Sequence, residues 1–329
     1  MGRCEFSVIV PAYQAADLIA ACVRALATQT VARARYEIIV VDDASADATG
    51  EVARAAGADR VLRIVHGGPA AARNAGLEVA EGDIVLFTDA DCVPAETWLE
   101  RMVAPFADAR VMGVKGTYRT RQQAWVARLV QLEFEIRYAR MARLPSIDFV
   151  DTYAAAYRRE LLLTVGGFDL AFPIPSAEDV DLSFRLARAG HRLVFVPDAW
   201  VWHRHPVSLG AYLRRKARFG YWRALLYVRF PEKIAGDTHT DPMLKLQFVL
   251  VALTGLVGAV ALWWPWLWFG VGGLLVAFGV TTWPFVRWAW SRDRGVALWW
   301  PGVTFLRVLW QGVGLAVGLV RVAGGRRGG

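Results

Sequence analysis

The segment Asp83-Ile84-Val85-Leu86-Phe87-Thr88-Asp89-Ala90-Asp91 is an apolar run of strand length that ends in two carboxylates one residue apart. Alternate residues of an extended chain point the same way, so Asp89 and Asp91 can face one spot just beyond the strand. Two neighbouring carboxylates repel each other, and a divalent cation beside them relieves that repulsion and can bind a diphosphate. The segment alone is equally consistent with an ordinary turn, in which Asp is common.

Short apolar runs alternate with amphipathic segments along the first third of the chain. We predict strands at 6–10, 37–41, 60–65 and 83–88, with helices at 17–27, 47–56 and 70–80 between them. This alternation predicts a doubly wound α/β domain with a mostly parallel sheet, whose strand ends meet at one edge. Four features should gather at that edge: Pro11, the pair Asp42-Asp43, the turn Gly67-Gly68, and Asp89-Ala90-Asp91.

A second acidic cluster, Glu178, Asp179 and Asp181, lies in the first turn of a helix predicted to run to residue 189. The helix dipole favours acidic residues at this position, which is a purely structural explanation. The functional interpretation is that Glu178 or Asp179 enters a cleft as a general base.

Composition divides the 329-residue chain. From residue 244 onward it is dominated by Leu, Val, Gly and Trp, and the segment before that boundary is basic. The basic residues are Arg204, Arg214, Arg215, Lys216, Arg218, Arg223, Arg229 and Lys233. A solvated helix face or a nucleic-acid patch would also be basic, but beside an apolar span we favour anionic lipid and expect no nucleic acid as partner.

The three cysteines form no metal or disulfide pattern, which is typical of a reducing compartment. We also expect no signal peptide, because the apolar run at 6–10 is too short for one. From both features we expect the first domain to lie in the cytoplasm.

Six segments, in order, resemble the family 2 glycosyltransferases with the GT-A fold. They are VIVPAY (8–13), VVDDAS (40–45), ARNAG (72–76), DAD (89–91), GGFD (166–169) and EDVDL (178–182). The resemblance covers roughly residues 6–205 and implies transfer of a sugar from a nucleotide-diphosphate donor, with inversion at the anomeric carbon.

The resemblance also implies a role for each matching residue. Pro11 and Tyr13 would line the base pocket, and Asp43 or Asp42 would accept a hydrogen bond from the base. Arg73 would lie near the base and diphosphate. Asp89 would approach the ribose and the metal, and Asp91 would coordinate Mg²⁺ or Mn²⁺. Asp179 would be the base that deprotonates the acceptor, and His203 would close the metal site.

Membrane-embedded synthases of this family carry Gln-x-x-Arg-Trp, whereas this chain has Arg215-Lys216-Ala217-Arg218-Phe219. The differences at the first and last positions favour addition of a single sugar over processive synthesis. Arg215 and Arg218 share one helix face and are candidates for contact with a donor or acceptor phosphate.

The apolar region contains two segments long enough to span a membrane, at about 244–264 and 266–286. Basic residues lie at both ends of the pair, so the positive-inside rule predicts a hairpin with cytoplasmic ends. Buried soluble helices are the alternative, but a chain of this size has no core for two such segments.

A third segment, 296–320, carries a stripe of polar and small residues: Arg307, Gln311, Gly314, Gly318 and Arg321. An arginine near the centre of a span costs roughly 2.5–3.5 kcal/mol. A third span would also place Arg326 and Arg327 outside. The segment is either interfacial or re-entrant, or a span whose stripe packs against protein.

We therefore predict a catalytic domain (1–226, ending in a basic juxtamembrane helix at 208–226), a linker (227–243) and a membrane region (244–329). The expected activity is transfer of one sugar from a UDP- or GDP-sugar to a lipid-linked or envelope glycan. The protein would lie in the cytoplasmic membrane as a multi-pass protein with its catalytic domain on the cytoplasmic side. The rival hypotheses are a nucleotide-sugar-forming nucleotidyltransferase and an inactive GT-A-like membrane scaffold.

Overall fold

In a computed structural model, which describes residues 4–325, eight strands form one mixed sheet. The strands are β1 (Phe6–Ala12), β2 (Tyr36–Asp42), β3 (Arg60–Arg63), β4 (Ile84–Phe87), β5 (Val93–Pro94), β6 (Val111–Arg119), β7 (Ala155–Arg158) and β8 (Arg192–Trp202). Their spatial order is β3-β2-β1-β4-β7-β6-β8-β5. The predicted parallel arrangement is confirmed for β3-β2-β1-β4, whereas β7 runs antiparallel to both of its neighbours.

Eleven α-helices lie within the described residues. They are α1 (Ala16–Ala27), α2 (Thr49–Ala56), α3 (Gly68–Val79), α4 (Trp98–Val103), α5 (Trp125–Met141), α6 (Arg159–Thr164), α7 (Glu178–Arg188), α8 (Leu209–Arg229), α9 (Leu244–Ala261), α10 (Trp268–Trp290) and α11 (Arg294–Ala323). Helices α1, α2, α3 and α7 lie close to their predicted positions, and Gly57 ends α2 in the left-handed conformation that glycine adopts readily.

Two strands differ from the sequence prediction for identifiable reasons. Strand β1 continues through Pro11, because beyond Ile9 it pairs only with β2 and the missing proline N–H is tolerated there. The two short strands predicted at 194–196 and 199–202 are one strand, β8, which bulges between Phe195 and Trp200. Pro197 lies within that bulge, where a ladder hydrogen bond is not required.

The described residues form two compact units, of which the first contains the whole sheet and comprises residues 4–121 and 138–204. Its core is built from the continuous apolar strands: Val8, Ile9, Ile38, Val40 and Leu86 are fully buried. Such runs are typical of parallel strands that are covered on both faces.

The second unit comprises residues 122–137 and 205–325 and contains helices α8 to α11 with most of α5. Helix α8, predicted from sequence to end the catalytic domain, thus groups with the apolar helices; the predicted domain boundaries stay a prediction. Among residues 4–325, three segments are long and apolar enough to cross a membrane: Leu244–Ala261, Pro265–Trp290 and Arg294–Ala323. Arg326 and Arg327 lie outside the described residues.

The polar stripe of α11 packs against protein within this unit. Arg307 is buried and donates to Glu133 of α5 (Nη1 to Oε1, 2.6 Å), and Lys216 of α8 lies 3.0 Å from the other oxygen of the same carboxylate. A Cβ added at Gly314 or Gly318 would collide with backbone carbonyls of α8. Close packing through small residues is a common means of helix association in membranes. The stripe therefore faces α5 and α8. This packing is what the sequence required if the segment is a span whose stripe packs against protein.

Candidate active site

The nucleotide-binding candidates lie where β1 and β2 end. Asp43 is buried and accepts hydrogen bonds from Gly67 N (2.8 Å) and Gly68 N (2.9 Å), so its carboxylate fixes the turn that precedes α3. Gly68 has φ = +83°, and a Cβ there would lie 2.1 Å from the carbonyl oxygen of Pro173. Only glycine fits this position, which brings the turn against the loop before α7.

Asp42 has a local structural role at the same edge. It is buried, accepts from Ser45 N at 2.9 Å, and lies 3.3 Å from Nη1 of Arg63. Tyr13 is 52% exposed, and Pro11 is partly buried. The structure thus brings Pro11, Tyr13, Asp42 and Asp43 to one edge of the sheet, although both carboxylates already accept hydrogen bonds from the protein.

Arg73 connects the end of β4 to the start of α7. The buried guanidinium donates from Nη2 to Asp89 Oδ1 (3.0 Å) and from Nη1 to Glu178 Oε1 (2.9 Å). The other oxygen of Glu178 accepts from Ser176 N at 3.0 Å. Glu178 is therefore held in an ion pair, and this arrangement aligns the first turn of α7 with the Asp89-Ala90-Asp91 segment.

Asp179 lies next to this ion pair at the start of α7. Its Oδ1 accepts from Val180 N at 2.8 Å. Burial, reinforced by the charge of Glu178 and opposed by that of Arg73, raises the pKa of Asp179 to about 7. A carboxylate with a pKa near the working pH is well suited to act as a general base.

The candidate metal ligands are close together. One ligand atom from each of Asp89, Asp91 and Cys92 fits within a region 4.8 Å across, and His203 Nε2 lies 3.3 Å from Asp91 Oδ2. Burial would raise the pKa of Asp91, but the hydrogen bond and charge of His203 outweigh it, and the pKa is lowered. Burial raises the pKa of the Cys92 thiol far above its usual value, which keeps the sulfur protonated.

These groups fit a hard divalent cation. Carboxylate oxygens suit Mg²⁺ and Mn²⁺, and an imidazole nitrogen is also a common ligand of divalent metals. A protonated thiol is a poor ligand, because the thiolate is the form that binds metals. Asp91, Asp89 and His203 are therefore the better donor set.

Two tyrosines that lie outside the matching sequence motifs support the ring of His203. The Tyr118 ring lies 4.2 Å from the His203 ring and stacks on Tyr153 at 3.3 Å between centroids.

Asn74, which directly follows Arg73, exchanges two 2.8 Å hydrogen bonds with the Phe168 backbone and so secures the GGFD segment. The sequence could have indicated Asn74, because it lies inside the matching segment ARNAG. Tyr118 and Tyr153 lie outside the matching segments, so the sequence carried no signal for them.

Arg215 and Arg218 belong to α8 in the second unit. The Arg215 guanidinium lies 5.4 Å above the Phe219 ring, and Arg218 is exposed. Their predicted contact with a phosphate stays a prediction.

The family model described as "Glycosyltransferase like family 2" matches residues 3–221. The chain belongs to this glycosyltransferase family. It is 36% identical over 229 residues to the pre-mycofactocin glycosyltransferase of Mycobacterium tuberculosis, which covers 67% of this chain and 48% of that protein. It is 30% identical over 220 residues to glycosyltransferase AglE of Haloferax volcanii, covering 65% of this chain and 71% of AglE.

The chain thus spans about half the length of the mycobacterial relative. Among solved structures, mannosyltransferase PcManGT of Pyrobaculum calidifontis, in complex with GDP-Man and Mn²⁺, is similar with a TM-score of 0.60 at 23% identity. The match covers 96% of this chain and 88% of PcManGT. At this identity the likeness shows the GT-A fold, as the sequence motifs predicted.

Proposed function

We propose that this family 2 glycosyltransferase is a membrane-anchored, metal-dependent, inverting enzyme that transfers one sugar from a nucleotide-diphosphate donor to a lipid-linked or envelope glycan. The observation that carries the proposal is the Arg73 bridge. It joins Asp89 to Glu178, so the donor-side carboxylates and the candidate base Asp179 belong to one site.

The donor would lie along the strand ends, with its base near Tyr13 and its ribose near Asp89. Mn²⁺ or Mg²⁺ held by Asp91, Asp89 and His203 would supply positive charge for the diphosphate that leaves. The imidazole of His203 favours Mn²⁺, since Mg²⁺ prefers oxygen ligands. Without such a cation the acidic residues would repel the diphosphate.

Asp179 would act on the acceptor. An acceptor hydroxyl oxygen forms a bond to the anomeric carbon, the bond from that carbon to the diphosphate oxygen breaks, and the hydroxyl proton passes to the Asp179 carboxylate. Attack from the face opposite the diphosphate inverts the anomeric carbon. Arg73 keeps α7 in place, so that the carboxylate is presented to this face.

The three apolar helices support membrane association and a lipid-linked acceptor. Catalysis would occur on the cytoplasmic side, where nucleotide sugars are made, with Arg215 and Arg218 available to a phosphate or to anionic lipid.

The test is titration of Mn²⁺ and Mg²⁺ into detergent-solubilised protein with UDP or GDP, followed by a donor screen that includes GDP-mannose. We expect nucleotide binding that requires the metal and is lost in Asp91→Asn. Binding that persists unchanged with chelator would refute the metal site, and binding of nucleotides without any sugar transfer or donor hydrolysis would favour the inactive scaffold.

A further inference from the structure

An exposed aromatic pair lies at the ends of β1 and β2. The rings of Tyr13 and His66 have their centroids 4.7 Å apart and are tilted by 32°. Tyr13 is 52% exposed, and the His66 side chain is 58% exposed. Two aromatic rings left open to solvent at the edge where α/β sheets bind ligands are available to a planar ligand.

His66 is held in place by Asp43. Its Nδ1 lies 3.0 Å from Asp43 Oδ2 and 3.2 Å from the Asp43 carbonyl oxygen, and both of these atoms are acceptors. Nδ1 therefore carries the hydrogen, and in the tautomer with hydrogen on Nδ1 alone, Nε2 is left as an acceptor. The ring thus has a fixed orientation and an acceptor on its far edge.

Backbone strain is concentrated beside this pair. Gln14, next to Tyr13, has φ = +50°, and Ala44, next to Asp43, has φ = +60°. They are the two non-glycine residues with positive φ in the described part of the chain. Such conformations cost energy and cluster at ligand sites, where surrounding structure maintains them. The hydrogen bond from Gln14 N to Ser45 Oγ (3.0 Å) joins the two strained segments.

The spacing of the sheet fits a nucleoside diphosphate. Strand β1 lies between β2, which leads to Asp43, and β4, which leads to Asp89. Neighbouring strands are about 4.8 Å apart, so the two outer strands are separated by about 10 Å. This is roughly the distance from a nucleobase to its diphosphate.

We propose that His66 is a nucleobase-binding residue: its ring forms with Tyr13 the surface on which the donor base stacks, and its Nε2 accepts a hydrogen bond from an N–H of the base. Asp43, which accepts from two backbone N–H groups and faces Nδ1, acts as the residue that positions His66. This inference rests on the proposed function, since it assumes a nucleotide donor.

The experiment compares the affinities of UDP, GDP and pyrophosphate, each with Mn²⁺, for the wild type and two variants of the full chain. His66→Asn keeps a donor near Asp43 but removes the ring and Nε2. His66→Phe keeps the ring without the nitrogens. His191→Asn, the same change in the turn after α7, is the matched control.

We expect His66→Asn to weaken the preferred nucleotide about tenfold, because stacking is a substantial part of base binding, and to leave pyrophosphate unchanged. His66→Phe should bind the nucleotide with an affinity between those of His66→Asn and the wild type. His191→Asn should match the wild type. Equal nucleotide affinity in His66→Asn and the wild type would overturn the inference, as would an equal loss for pyrophosphate, which has no base. A wild type that binds pyrophosphate but neither nucleotide overturns the inference alone; one that binds none of the three overturns the proposed function as well.

Discussion

Replacing Asp179 with asparagine should lower the rate of sugar transfer by about 10²-fold or more while making the protein more stable at alkaline pH. The ordinary pKa of an aspartate is 3.8, and in the folded protein burial first of all, with the charge of Glu178, raises it to about 7. The ionised form therefore costs the folded state roughly 4 kcal/mol at most, at 1.36 kcal/mol per pKa unit. Asparagine has nearly the same shape and never ionises.

The sign of the effect depends on pH. A group whose pKa is higher in the folded than in the unfolded state binds more protons when folded, so its contribution to stability falls as pH rises from about 4 to 7. Asp179→Asn should thus match the wild type near pH 4 and exceed it above pH 7. The loss of a general base should lower the transfer rate by about 10²–10⁴-fold. In the wild type, the rate should fall as pH drops below 7, because the carboxylate is then protonated.

The assay combines transfer rates with unfolding midpoints in detergent at pH 5 and pH 8.5. Asp181→Asn is the matched control, since Asp181 is buried in the same helical turn but accepts from Arg185 at 2.9 Å. This variant should keep its transfer rate and lose stability at both pH values. A transfer rate for Asp179→Asn within tenfold of the wild type would refute the base, and lower stability at pH 8.5 would refute the argument from burial.

Three further predictions follow from the ion pairs and the apolar helices. Arg73→Lys should weaken nucleotide binding at least about tenfold, because a lysine cannot meet two carboxylates at once; unchanged binding in calorimetry would refute the bridge. Glu133→Leu should lower the free energy of unfolding by about 3–5 kcal/mol, because it leaves buried cations without their carboxylate, and Arg307→Leu added to it should restore part of the loss; an unshifted unfolding midpoint would contradict this. Cysteines at Trp264 and Gly295 should label from opposite sides of the membrane, and labelling from the same side would exclude the hairpin.

Local sequence signals predicted the first half of the sheet correctly. Strands β1, β2 and β4 contain apolar runs that lead to Pro11, Asp42-Asp43 and Asp89, so the strands and the residues near their ends could be recognised, although β1 runs one residue past the proline. Strand β7 could not be, because Ala155–Arg158 is short and has no β-branched residue. Its extended conformation comes from pairing with β4 and β6 on either side, which is a tertiary effect.

The residues of the candidate site could be predicted from the sequence, but the ion pairs between them could not. Motif spacing indicated Arg73, Asp89 and Asp179, yet nothing in the sequence showed that Arg73 joins Asp89 to Glu178. The same holds for the pair of Arg307 and Glu133, which lie 174 residues apart. Long-range pairs of this kind depend on the folded arrangement, whereas hydrophobic period and turn chemistry are local properties.

The Glu133 ion pair affects how the chain is assembled and how it can be divided. Residues 122–137 are synthesised long before α11. The Glu133 carboxylate therefore has no Arg307 partner until α11 has been synthesised, and the second unit cannot fold completely before that point. A truncation after α8, intended as a soluble catalytic fragment, would retain Glu133 and the apolar residues around it but lose their partners in α10 and α11. We expect such a fragment to expose an apolar helical surface and to aggregate, even though every strand of the sheet is present. Ending the chain at residue 204, removing residues 122–137 as well and joining the chain across that gap is the division that follows the boundary between the two units.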